Sequence, residues 1–247
     1  MNAAAEVDEV QLSRAIIYRL LSLACSYPTP ATCAALRGLV DTVLVAGEVI
    51  GPQVARDVAR FCALIREHDD AALERAHTRV FTMTTSPTCP ANETSYTAKH
   101  LFQVSEQMAD VAGFYRAFGV DAQGGRPDSL AMELEFAYLL ALKEAYAIEH
   151  HGPTKVALCR KAERAFLHDH LGRWGGAVAA RMIAHDPDGM IGATGELLDA
   201  FLAREQRHLR SGAPAPLPEK PYRPEDVDET DPPCMTGELA GGSDDDA

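Results

Sequence analysis

The sequence predicts an all-α protein, on three observations. Apolar residues recur at steps of three and four along most of the chain, and no β-branched alternating run survives inspection. Proline- and glycine-marked breaks divide the periodic stretches into helix-sized pieces. The expected architecture is a single-domain bundle of about nine helices over residues 1–212, followed by a Pro-rich acidic tail over 213–247 that is mostly disordered. At 247 residues the chain is long enough to bury one core of this size.

The elements follow in order. A first helix carries Tyr18, Leu20, Leu21 and Leu23 and stops before Tyr27-Pro28, because the residue ahead of a proline is biased out of the helical region. Thr29-Pro30 restarts a helix, with threonine as N-cap and proline in the first turn, where its missing N–H costs nothing. Leu36, Leu39, Val40, Val43 and Leu44 give that helix its apolar face. Gly51-Pro52 breaks the chain again, and Val54, Val58, Phe61, Cys62 and Ile65 form the next stripe. Asp69 or Asp70 caps a short helix through Leu73, Ala76, Val80 and Phe81. Thr82 to Thr97 shows no periodicity and predicts a long loop, a kind of segment that often carries function. Leu101, Val104, Met108, Val111, Tyr115 and Phe118 then mark the cleanest amphipathic helix of the chain, with Gly119 placed to end it and Gly124-Gly125 as the turn. After Pro127 comes a helix apolar on more than one face, through Leu130, Leu134, Tyr138 and Leu142 and through Met132, Phe136, Leu139 and Leu140, which places it at the centre of the bundle. Gly152-Pro153 and Asp186-Pro187 delimit the remaining helices, around Leu158, Ala162 and Phe166, around Leu171, Trp174, Val178 and Met182, and around Leu197, Leu198, Phe201 and Leu202. Beyond Gly212 the prolines and acids bury too little apolar surface to offset the entropy of ordering, although the Pro-rich first half has the composition to lie along the body.

Charge narrows the partners. The net charge is −13, of which the tail carries −8 from ten acidic residues against Lys220 and Arg223, leaving −5 for the other 212 residues. Nucleic acid and anionic membrane both demand basic patches, so neither is expected; a basic peptide is compatible. No apolar run approaches the ~18 residues of a membrane span. The acidic N-terminus lacks the basic start and apolar run of a signal peptide, so a cytoplasmic location is expected. Cys25, Cys33, Cys62, Cys89, Cys159 and Cys234 show no CxxC spacing, and four of them sit in helical apolar patterns as small hydrophobes.

No constellation for catalysis emerges. His150-His151 and His168-x-His170 are badly spaced for metal ligation, because helical ligand pairs need steps of three or four to share a face; exposed or capping histidines are expected. Nucleotide-binding glycine motifs and a nucleophile elbow are absent. Cys89, beside Pro90 in the loop, is the most exposed-looking thiol, with no base to activate it. Glu133 and Glu135, two residues apart, point in different directions and make no proximate pair; for Glu133 a solvated or cap-stabilising place near Asp128 is expected. Asp128 has two readings of equal weight: an N-cap of the central helix, with Ser129 as the alternate, or an acid at a helix junction that holds a basic peptide side chain through a charge-assisted bond. No catalytic residue, metal or cofactor is expected.

Several ordered motifs resemble the cytoplasmic chaperones of molybdenum enzymes, the TorD/DmsD/NarJ group. They are Tyr18-Arg19-Leu20-Leu21-Ser22-Leu23-Ala24-Cys25-Ser26-Tyr27-Pro28, Val80-Phe81, Glu93-Thr94-Ser95-Tyr96, Phe114-Tyr115-Arg116-Ala117-Phe118-Gly119-Val120, Arg126-Pro127-Asp128-Ser129-Leu130 with Glu133-Leu134-Glu135-Phe136, and Phe166 through Trp174. The resemblance covers roughly Arg14 to Glu205. It implies an all-helical protein without catalysis that holds the immature catalytic subunit of a molybdopterin-guanine-dinucleotide oxidoreductase, or its twin-arginine signal, assists cofactor insertion and delays export. The Glu-Thr-Ser-Tyr variant points to the branch serving type II enzymes, among them selenate, chlorate, dimethylsulfide and ethylbenzene enzymes. By the same resemblance the client-binding residues are Val80, Phe81, Glu93, Tyr96, Asp128, Ser129 and Glu133. Two departures stand out: Ser129 replaces the group's histidine, and Arg126 stands where an acid usually precedes the proline. The competing readings are a small helical nucleotide- or metal-binding enzyme acting through the Cys89–Tyr96 loop, and a helical adaptor in a stable complex. A monomer and a domain-exchanged dimer, swapped through a Gly119–Pro127 hinge, are both compatible with the sequence.

Overall fold

The computed structural model describes residues 3–81, 88–122 and 125–223, with side chains from residue 9 onward. Residues 82–87 of the expected loop, Gly124, Cys234 and the acidic run from 224 lie outside the described residues. Ten helices are described: α1 (Ala3–Cys25), α2 (Pro30–Ile50), α3 (Pro52–Glu67), α4 (Asp70–Val80), α5 (Thr94–Thr97), α6 (Leu101–Ala117), α7 (Leu130–His150), α8 (Pro153–Asp169), α9 (Leu171–His185) and α10 (Met190–Leu209). No strand occurs among the described residues, and the domain is all-α; an antiparallel bridge between Asn92 and Ser129 is isolated. The helix beyond the expected nine is α5, a four-residue turn inside the segment that reads as a loop.

The helix boundaries follow from the punctuation. Thr29 caps α2 by accepting from Thr32 N–H at 3.1 Å, with Pro30 in the first turn. Gly51 takes φ +142° between α2 and Pro52. Of the two candidate aspartates at α4, Asp69 is the cap, accepting from Ala72 N–H at 2.7 Å. Gly119 ends α6 at φ +77°, where its own N–H reaches Arg116 O and Val120 N–H reaches Tyr115 O, the paired bonds of a Schellman stop.

Packing is organised around α7, which lies against α1 and α8, while α1 packs on α2, α2 on α3, and α9 on α10. The α10 helix also reaches α3, so the bundle closes. Trp174, Phe61, Phe166 and Phe201 are fully buried, and Phe136 meets Phe166 and Tyr115 with ring centroids 4.8 and 4.7 Å apart. Helices α9 and α10 approach closely because glycine faces glycine-sized gaps. A Cβ on Gly195 would sit 2.8 Å from the Ala179 carbonyl oxygen, and one on Gly175 would sit 2.3 Å from Leu202 Cδ1. A polar cluster lies inside the core: Arg14, fully buried, pairs with Glu144 and Glu205 at 2.8 Å each and with Glu163.

One region departs from the sequence reading, and another takes an option that the reading left open. The regular apolar stripe of α6 is buried only at Val111 and Tyr115, while Leu101 and Phe102 at its start are 59% and 80% exposed. The period reports which face of a helix is apolar; whether another element covers that face is a separate matter. The first part of the tail lies along the body. After α10 stops at Arg210 in the left-handed conformation, Leu217 packs against the core and Tyr222 N–H donates to Ala98 O at 2.7 Å. Prolines at 214, 216, 218 and 221 hold this stretch extended with little left to lose on ordering. Among the described residues no helix is long and apolar enough to cross a membrane.

Candidate functional site

The residues before α5 and the residues before α7 are stitched together by backbone. Glu93 N–H donates to Asp128 O at 2.8 Å and Leu130 N–H to Ala91 O at 2.9 Å. This short pairing explains why the segment is ordered without periodicity, since its amides are satisfied by a partner some 35 residues away, and not by a regular helix of its own. It brings Glu93, Tyr96, Asp128, Ser129 and Glu133 into one junction. Val80 and Phe81, just before residue 82 in sequence, are buried at the end of α4 in the same continuous core, with Phe81 against His77 at 5.1 Å.

Three carboxyl groups in the junction are withdrawn from water: Asp128 and Glu133 are 0% exposed and Glu93 is 1% exposed. Each has a different set of partners. Asp128 accepts from Thr94 Oγ1 at 2.7 Å and Thr94 N–H at 3.2 Å, and takes a two-pronged contact from Arg126, Nε at 2.9 Å and Nη2 at 2.8 Å. The same Arg126 Nη2 donates to Thr94 Oγ1 at 2.8 Å. Glu93 faces His170 Nδ1 at 3.1 Å, and the other imidazole nitrogen lies 3.6 Å from Asp110. Glu133 accepts from the Trp174 indole N–H at 3.0 Å through Oε2, while its Oε1 has no donor among the described residues. Burial, then the neighbouring Glu93 carboxylate, push the Glu133 carboxyl well above the usual carboxylate range, against the pull of the indole N–H. In its protonated form Glu133 is a donor, and the Glu93 carboxylate is the acceptor beside it.

These positions correct several expectations. Asp128 is not the N-cap of α7; Ser129 is, accepting from Met132 N–H at 3.4 Å. Glu133 is neither solvated nor a cap. Glu135, as expected, points elsewhere and pairs with Arg19 at 2.9 Å on the surface. His170 takes the cap position between α8 and α9, one of the two places expected for it, but its side chain is buried, makes no cap bond and edges against Phe114 at 5.1 Å. Cys89 is fully buried, and burial pushes its thiol up to about 11, against Arg181, so it is not a thiolate at neutral pH. Sequence reasoning passed over His170, Trp174 and Thr94 as members of the junction; a lone tryptophan in a helical stripe reads as core, and only its indole N–H marks it as a polar partner.

Tyr96 closes the floor. Its ring lies 5.3 Å from Trp174 and beneath the Arg181 guanidinium at 5.0 Å, and its hydroxyl donates to Pro90 O at 2.8 Å. Tyr115 closes the other side, donating to Pro127 O at 2.6 Å. Arg126 and Asp110 stand on the junction's solvent-facing side. No group of three or more His, Cys, Asp or Glu side chains among the described residues is arranged to hold a metal ion. Chemically the junction offers carboxylate and hydroxyl acceptors to a donor-only group.

Against known proteins, the family model for the nitrate reductase delta subunit matches residues 49–180, just over half of the chain and the whole of the junction. No curated protein matches. A crystal structure of a candidate redox enzyme maturation protein from Archaeoglobus fulgidus is similar over 61% of this chain and 91% of that one, at 17% identity and a TM-score of 0.37; that distance carries no residue correspondence.

Proposed function

The chain belongs to the nitrate reductase delta subunit family, redox enzyme maturation chaperones of the NarJ/TorD type, and from that premise we propose that it is a cytoplasmic, non-catalytic chaperone for the immature catalytic subunit of a molybdopterin-guanine-dinucleotide oxidoreductase. It binds that subunit or its twin-arginine signal, assists cofactor insertion and delays export. The client surface on this reading is the junction of Glu93, Tyr96, Asp128, Ser129 and Glu133, with Val80 and Phe81 behind it. The client enzyme on this reading belongs to the type II branch.

The observation that supports the reading most is the Asp128 site, a buried carboxylate that already holds one guanidinium in a two-pronged contact at the surface. A guanidinium suits a planar pair of carboxylate oxygens better than an ammonium does. Exposed Leu101 and Phe102 at the start of α6 add apolar surface for the hydrophobic stretch of a client peptide.

Affinity capture of the tagged chain from its host, followed by mass spectrometry, tests the proposal. The expected result is recovery of an immature molybdenum-enzyme catalytic subunit that is lost with Asp128→Ala. Recovery of only the mature, cofactor-loaded enzyme would favour a stable adaptor, and a stoichiometric nucleotide or metal in the purified protein would favour a small enzyme; either overturns the chaperone reading.

A further inference from the structure

The exposed face of the junction is filled by the chain itself. Arg126 lies over Asp128 with 46% of its side chain exposed, while the carboxylate beneath has none. Its fork uses both Asp128 oxygens and the Thr94 hydroxyl, so the three groups form a closed ring of hydrogen bonds at the surface. Arg126 sits in the connection between α6 and α7, beside Gly125, and rotation of its own side chain carries the guanidinium into water. What remains is a buried acceptor pair with a hydroxyl at its edge, shaped for a planar donor. Elsewhere in the same junction the buried Oε1 of Glu133 has no hydrogen-bond partner among the described residues.

We propose that Asp128 and Thr94 form an arginine side-chain site that Arg126 occupies in cis, and that an arginine of a partner polypeptide enters only by displacing it. Arg126 is then a self-supplied plug whose strength sets how readily a client arginine is admitted. The inference rests on the chaperone reading for the identity of the partner, but not for the site. A ligand that must compete with an internal copy binds more weakly by the fraction of molecules in which the plug is open. Lysine would make a poor plug and a poor ligand, because a point charge cannot use both oxygens and the hydroxyl together.

The test uses the full chain with Arg126→Ala and small probes. Thermal melting is followed with millimolar ethylguanidinium, and separately with ethylammonium. The expected result is that the variant melts below the wild type, that ethylguanidinium raises its melting temperature saturably, and that ethylammonium does not. Neither probe moves the wild type, and adding Asp128→Asn to the variant abolishes the rescue. A capped tetrapeptide with one arginine, followed by calorimetry, is expected to bind the variant about tenfold more tightly than the wild type, the factor for a plug closed in nine molecules of ten. Should Arg126→Ala fail to fold, the same peptide comparison is made with Arg126→Gln, which keeps donors near Thr94 but loses the fork. No rescue, equal rescue by ethylammonium, or equal peptide affinities overturns the plug. Rescue without any client in the affinity capture leaves the arginine site standing and removes the chaperone reading; a captured client without rescue does the reverse.

Discussion

One helix carries two buried glutamates with opposite surroundings. Glu133 lies near the start of α7 and Glu144 lies eleven residues on, three turns along the same face and about 16 Å away at 1.5 Å per residue. Around Glu144 the guanidiniums equal the carboxylates in number: Arg14, Arg160 and Arg204 against Glu144, Glu163 and Glu205. Around Glu133 the three buried carboxyl groups have one guanidinium bonded to them, Arg126 at the surface on Asp128, with the His170 imidazole against Glu93 and the Arg181 guanidinium stacked on Tyr96. The contrast shows in titration. Against burial, Arg14 and Arg204 hold the Glu205 carboxyl below the usual range, whereas Glu133, with an indole N–H as its partner, is pushed up. Even in the matched cluster the carboxyl with Arg14 alone, Glu163, is pushed up to about 8 by burial despite Arg14. The Arg14 cluster is a cross-link among α1, α7, α8 and α10. The junction is under-neutralised, and so it has capacity left for donors from outside.

The comparison breaks most readily at Arg14. Arg14→Ala strips the shared cation from three buried carboxyls, and a loss of about 3–5 kcal/mol in denaturant unfolding is expected; a loss under about 1 kcal/mol would mean the cluster is not a clamp. Trp174→Phe removes the hydrogen bond on Glu133 and also shrinks a fully buried ring, with an expected cost of about 3–5 kcal/mol that joins the cavity to the buried acceptor left behind. Glu133→Gln sharpens the contrast through pH. The folded pKa of Glu133 is raised, so its contribution is full at acid pH, below the unfolded carboxylate value, and is lost as pH rises through the raised value. The melting temperatures of wild type and Glu133→Gln should therefore diverge as pH rises from 5 to 8, with the variant the more stable at the upper end; parallel curves would place Glu133 among ordinary carboxylates. The smallest effect is at Ser129, where alanine should cost about 1 kcal/mol as the loss of one helix cap, without altering the pH profile.

The legible part of the fold is the part written in local chemistry. Thr29, Pro30, Gly51, Pro52, Asp69, Gly119, Gly152 and Pro153 act where they stand, because caps, fixed φ angles and positive φ are decided within a few residues. The all-round apolar character of α7 likewise announced its place at the centre. The short α5 escaped notice because its order comes from pairing with residues 128–130, and four residues leave no period to read.

The polar residues behaved otherwise. Glu133 and Glu135 look alike in sequence, yet one is sealed against Trp174 and the other reaches Arg19 at the surface. Cys89 looked exposed beside a proline and is fully buried, while Leu101 belongs to the cleanest stripe and faces water. Burial of a side chain depends on what the rest of the chain brings to it. The sequence by itself determined the helices, their breaks and the acidic balance, because those are sums over neighbours. Only the tertiary structure decided which carboxylates are buried and which arginine answers each one, because both depend on contacts such as Glu133 with Trp174 and Arg14 with Glu205, 41 and 191 residues apart.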